Sequence, residues 1–172
     1  MKRLSCSAIL ARLSNSSFIS QRAGNYTLAK TFQDMAFQIG KYIKFALLAD
    51  RNPELNAIVG ERIYPVVVPD DDLNNAPYIW YAVEETTEEY CKDGLTQDTD
   101  YISVNVVAKS YEQLIDMLEL VRKAVCQSYL EWNDTDNPPF CVFNCIMSAK
   151  EEEFDPTDDT YQRAIIFKIE NR

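Results

Sequence analysis

Thr160-Tyr161-Gln162-Arg163-Ala164-Ile165-Ile166-Phe167-Lys168-Ile169 alternates residue by residue after the acidic turn Asp155-Pro156-Thr157-Asp158-Asp159. Successive side chains of a strand point to opposite faces, so Tyr161, Arg163, Ile165, Phe167 and Ile169 share one face and Gln162, Ala164, Ile166, Lys168 and Glu170 the other. A strand that closes the chain finds its partners earlier in the sequence, which ties the carboxyl end into a sheet. The apolar run Phe140 to Met147 is its nearest partner, making a final hairpin across the Asp-Pro turn.

Working back, Tyr101-Ile102-Ser103-Val104-Asn105-Val106-Val107-Ala108 alternates with Ile102, Val104, Val106 and Ala108 inward, and Tyr78 to Val83 is an aromatic-rich strand. Polar residues including Glu84, Glu85, Glu88 and Glu89 continue that strand beyond the body, and about a dozen of them join the two strands as a long hairpin around Lys92-Asp93-Gly94. Arg62 to Pro69 is β-branched, but Pro65 lacks the amide a central strand donates, which places it at a sheet edge. Between the hairpins, Ser110 and Gln113 form a capping box ahead of the stripe Leu114, Met117, Leu118, Val121, Ala124 and Val125. An earlier stripe, Met35, Ile39, Tyr42, Ile43, Ala46 and Leu47, predicts a helix over 32–49 that stops before Pro53, which opens a short turn ending at Gly60. Glu131 to Pro139 reads as loop. The expected fold is α+β: a mainly antiparallel sheet of four to five strands with two long helices packed on one face, in the order α-β-β-β-α-β-β.

A chain of 172 residues with 47% hydrophobic content supports one cored domain, expected over 34–172. Residues 1–33 form an amino-terminal extension that is Ser-rich and acid-free. That composition leaves open a flexible arm, a leader with no structural role, or a targeting signal, with Met35 an alternative initiator. Five of the 17 basic residues lie in this extension, so all 27 acids and the other 12 bases lie from Asp34 onward, a net charge of −15. Such a body repels phosphates. No apolar run approaches the roughly 18 residues of a membrane-spanning helix.

The five cysteines, Cys6, Cys91, Cys126, Cys141 and Cys145, are odd in number and show no zinc or disulfide spacing, which suits a reducing compartment. Cys141 and Cys145, four apart on one predicted strand, are expected roughly 13 Å from each other and read as buried small apolar groups. With no histidine in the chain, triads built on His are excluded, and four glycines leave no phosphate-cradling loop. The acids at 70–72, 84–89, 151–153 and 155–159 read as solvated charge; a small metal-dependent enzyme or nucleotide binder using these carboxylates is the alternative of a different class, and a monomeric adaptor a third. No cofactor, catalytic residue or metal ligand is assigned.

Tyr78 and Trp80 share one face of their strand while Ile79 and Tyr81 share the other, so the strand wants cover on both sides. A protein–protein interface is the simplest second cover. The candidate interface residues are Tyr64, Pro65, Tyr78, Trp80, Tyr81, Glu84, Glu85, Glu88 and Glu89.

Leu55 to Pro65 with its Gly60-Glu61-Arg62-Ile63-Tyr64-Pro65 element, Pro77-Tyr78-Ile79-Trp80-Tyr81, the helix with Val121-Arg122, and Asp155-Pro156 followed by Tyr161-Gln162-Arg163 occur in that order. This series resembles the tail completion proteins of long-tailed bacteriophages, also called tail-to-head joining or tail terminator proteins, over about residues 35–170. The extension and the Glu131–Pro139 insertion depart from the pattern. The resemblance implies a non-enzymatic virion protein of phage or prophage, made in the bacterial host cytoplasm. It would close the head-proximal end of the tail tube as a ring, expected as a hexamer. Its partners would be further copies of itself, the tail tube protein and the head–tail connector, with DNA passing through unbound and no membrane contact.

Overall fold

The computed structural model describes residues 38–48, 50–92, 94–135 and 140–171. The extension, Met35 and the start of the first predicted helix lie outside these residues.

Helix α1, Ile39–Ala46, buries Ile39, Tyr42, Ile43 and Ala46, and Leu47 just past its end is buried with them, so the described part of the expected stripe faces the core. The Asn52 amide donates to the Ala46 carbonyl at 2.6 Å, satisfying an acceptor left open at the helix end. Pro53 opens α2, Pro53–Val59, and Gly60 ends it with φ +59°, a left-handed geometry that suits glycine. Strand β1 is Ile63–Pro65, α3 is Asp70–Leu73, β2 is Tyr78–Cys91 and β3 is Gly94–Ala108. The long helix α4, Tyr111–Gln127, buries all six residues of its predicted stripe. Half of its cap forms as expected, Ser110 Oγ accepting from the Gln113 backbone N–H at 3.2 Å; the return bond reaches one residue further back, Gln113 Oε1 accepting from the Lys109 backbone N–H at 3.3 Å. A short α5, Tyr129–Asn133, then leads to β4, Val142–Asp155, and β5, Thr160–Asn171.

The five strands form one sheet in the order β1-β2-β3-β5-β4. Among the described residues only the β1–β2 pair is parallel; the other pairs are antiparallel. Helices α1, α2, α4 and α5 and the inward residues Ile79, Tyr81, Ile102, Val104, Val106, Phe167 and Ile169 make one core on one face of the sheet. The α+β class, the dominance of antiparallel pairing and the pairing of the closing strand with the strand before it thus agree with the sequence.

Four expectations need correction. The element order is richer than α-β-β-β-α-β-β, because α2, α3 and α5 are interposed, and α5 occupies part of the stretch expected as loop. Its reason is Trp132, an aromatic anchor that turns 129–133 back onto the core. The expected continuation of β2 through Glu84–Glu89 and the turn near Lys92 are present, but β3 begins at Gly94 rather than Tyr101, because the backbone bonds of a hairpin do not require apolar side chains. Similarly β4 runs on through Glu151–Glu153 to Asp155, paired with β5, and begins only at Val142, after Cys141. Finally, strand geometry stops at Pro65: Val66 has φ +65°, a rare backbone for a β-branched residue, and turns the chain away while its amide donates to the Tyr81 carbonyl at 2.8 Å.

Candidate assembly interface

Strand β2 has β1 beside it only from Ile79 to Tyr81. Beyond Tyr81 its outer side carries no strand among the described residues; the register shifts between Val83 and Glu85, and the hairpin stays within the sheet as far as Asp98, which pairs with Asn171 of β5. Beside that free edge lies a cleft of about 330 Å³ between α1 and the β1–β2 pair, bordered by Lys41, Lys44, Pro65, Val66 and Val83. Val66 and Val67 are 66% and 71% exposed, an unusual concentration of β-branched side chains in solvent. Both lysines are exposed, with Lys41 donating to Gln38 Oε1 at 3.0 Å.

At the far side of the sheet β4, 14 residues long, has no strand on its outer side among the described residues. A long unpaired edge is a ready template for another polypeptide. It exposes Phe143, Ile146, Met147 and Phe154, and Glu151 to Glu153 stand beside them. Glu152 is held by the Arg163 guanidinium at 2.7 Å, and Glu153 accepts from Gln162 at 3.1 Å. Between this edge and α4 runs an apolar groove of about 190 Å³ lined by Ile115, Leu118, Met147, Ala149 and Ile165. The two edges therefore differ in chemistry: one apolar with lysines, the other apolar with glutamates.

The nine sequence candidates separate by position. Pro65, Glu84, Glu85, Glu88 and Glu89 are exposed along the β1–β2 edge and hairpin. Tyr64 and Trp80 are half-buried, and the Tyr64 hydroxyl donates to Asp72 Oδ2 at 2.6 Å. Tyr81 faces the helices inside the main core. Tyr78 is buried on the opposite face beneath Val68 and Ala76, next to Val107. The second cover expected for the aromatic strand is thus supplied at its start by the chain's own 66–76 segment.

Sequence reasoning did not single out Lys41, Lys44, Val66 or Val83, whose proximity depends on the turn at Val66. It also passed over Asp98 and Asp100, although they stand in phase with Ile102, Val104 and Val106. Both carboxylates are buried, and Asp98 lies directly opposite Glu88. Asp100 accepts from the Thr86 hydroxyl at 2.5 Å and the Asn171 amide at 2.6 Å, whereas Asp98 Oδ1 has no hydrogen-bond partner among the described residues. Burial first, then the charges of Glu88 and Asp100, push Asp98 up to about 6; burial also raises Asp100. A carboxyl whose folded pKa is raised contributes its stability below the unfolded pKa and loses it as pH climbs through the folded one. Stability is therefore expected to fall between about pH 4 and pH 6. Asp98→Asn should flatten that window and gain on the order of 1 kcal/mol at pH 7.5, after allowance for solvent screening at the hairpin end. Urea denaturation at a series of pH values measures both; an unchanged pH profile in the variant would refute it.

Among the described residues no group of three or more His, Cys, Asp and Glu side chains is placed to hold a metal ion, and no helix is long and apolar enough to cross a membrane. The acidic clusters lie along the short helix α3, along strands and in the turn before β5.

No protein-family description matches the chain, and no curated protein matches it. Among solved structures the fold is similar to that of a chain in the virion of a native gene transfer agent particle, with a TM-score of 0.60 and 16% sequence identity. The match covers 75% of this chain and 90% of that one. What the two share at this identity is the fold: helices on one face of a mostly antiparallel sheet.

Proposed function

We propose that this protein is a structural component of a tailed phage or phage-like particle that assembles as a ring at the head-proximal end of the tail tube and joins tail to head. The observation that carries the reading is the shared fold with a gene transfer agent virion chain, spanning 90% of that chain. The ordered motif series from Gly60-Glu61-Arg62-Ile63-Tyr64-Pro65 to Tyr161-Gln162-Arg163 supports the finer assignment to tail completion.

Ring closure requires a heterologous contact, one patch meeting a different patch on the neighbour. The lysine-flanked cleft of one protomer and the glutamate-flanked β4 edge of the next have the required unlike character and lie on opposite sides of one sheet. The outer edge of β2, with Glu84, Glu85, Glu88 and Glu89 exposed, is placed to meet a basic surface of the tube protein or the connector. A body of net charge −15 lets DNA pass without holding its phosphates.

The test is assembly. The purified chain, alone and with tube protein, is expected to form closed rings in size-exclusion chromatography with light scattering and in electron micrographs. Deleting the gene from its phage should leave tailless heads beside tubes of uncontrolled length. Normal tailed particles after deletion would overturn the proposal.

A further inference from the structure

Cys126, in the last turn of α4, and Cys145, near the start of β4, have Sγ atoms 3.6 Å apart. Nothing in their sequence spacing suggests this. The two are 19 positions apart, and the contact arises because α5 folds the chain back so that β4 runs beside the end of α4. Both thiols are half-buried at the rim of the main core.

We infer that Cys126 and Cys145 form a dithiol site that a small disulfide such as oxidised glutathione converts to an intramolecular disulfide, tying α4 to β4. The two residues have different roles. Cys126 is the attacking thiol: the bond with Cys145 lowers it to about 7, against the opposing effect of burial, and the Arg122 guanidinium one turn earlier lowers it further. Cys145 is held in the thiol form, raised by its bond to Cys126 and by burial. A thiolate is the nucleophile in such exchange, and one whose pKa lies near ambient pH attacks best.

The Cys126 thiolate attacks one sulfur of oxidised glutathione and releases a glutathione thiolate, leaving a mixed disulfide on Cys126. Cys145 then attacks the Cys126 sulfur, passing its proton to the second departing glutathione. Two protein thiols lose two electrons and two protons in all, and one glutathione disulfide becomes two glutathione thiols. The two sulfurs must close from 3.6 Å to bonding distance, about 2 Å. In a reducing compartment the pair stays open; outside a cell, in oxidising surroundings, it closes.

The full chain is incubated with oxidised glutathione and compared with the reduced protein. Expected are a mass lower by two hydrogens, two fewer titratable thiols, and a melting temperature several degrees higher. One linked species joining Cys126 to Cys145 should appear after digestion behind aromatic residues, which places Cys126, Cys141 and Cys145 on separate peptides. Cys141→Ser should leave the linkage intact. Cys145→Ser should stop the reaction at a stable glutathione adduct on Cys126, and Cys126→Ser should remove both products. A linkage between Cys141 and Cys145, a lasting adduct on Cys126 in the parent protein, or no loss of thiols would each overturn the inference.

Discussion

Replacing Trp132 with alanine is expected to destabilise the protein by about 4 kcal/mol. Trp132 is only 7% exposed although it sits in a five-residue helix at the margin of the fold. Its ring meets Tyr42 edge-on with centroids 5.7 Å apart and Phe45 edge-on at 5.1 Å, and lies tilted on Phe140 at 5.3 Å. Its indole N–H donates to the Phe140 carbonyl at 3.0 Å, just before β4 begins. One side chain therefore joins α1, α5 and the entry to the edge strand. The adjacent Asn133 completes the attachment, accepting from the Val142 amide at 2.9 Å and donating to its carbonyl at 2.7 Å. Alanine removes the transfer energy of the indole and leaves a cavity beneath α1, while the Phe140 carbonyl loses its donor. Trp132→Phe keeps most of the volume and should cost only about 1–2 kcal/mol. Urea unfolding followed by far-ultraviolet circular dichroism reads both; a loss below about 1 kcal/mol for the alanine variant would show that α5 is not fastened to the core in this way.

The second large effect concerns assembly. Lys41→Glu with Lys44→Glu is expected to weaken ring formation by one to two orders of magnitude, and Glu151→Lys with Glu153→Lys by a similar factor. Each exposed ion pair contributes little, about 0.2–1 kcal/mol, but reversing one side turns attractions into repulsions of like size at every junction of the ring. All four residues are exposed, so the isolated protomers should keep their stability. Mixing the two double variants supplies the sharper outcome. Neither assembles with itself, yet in an alternating ring the new glutamates of one face the new lysines of the other, and the remaining junctions are native. Light scattering should show rings restored in the one-to-one mixture, as an even-numbered ring permits. Failure of the mixture to assemble, with both variants folded and each defective alone, would exclude the head-to-tail contact between cleft and β4 edge.

The strands and helices themselves were readable because burial imposes a period on the chain. The α4 stripe from Leu114 to Val125 and the inward set Ile102, Val104, Val106 and Ala108 occupy the core as their spacing requires. What periodicity misses is structure held by backbone bonds alone. The polar outer halves of β2 and β3 and the acidic part of β4 pair along their length without an apolar side to announce them. Burial without apolarity was equally hidden: Asp98 and Asp100 keep the phase of the core face but were read with the polar residues around them.

Sequence alone therefore settled the class of the fold, the hairpin that closes the chain, the exclusion of imidazole chemistry and the acidity of the folded body, because each follows from residue type and short-range spacing. Tertiary structure alone decided which distant groups meet. The Cys126–Cys145 contact, the cover of Tyr78 by Val68 and Ala76, and the cleft where Lys41 and Lys44 stand beside Val66 and Val83 depend on turns at Val66 and Trp132. Those turns arise from the packing of whole elements against one another, an interaction between parts of the chain far apart in order, which no local pattern of residues encodes.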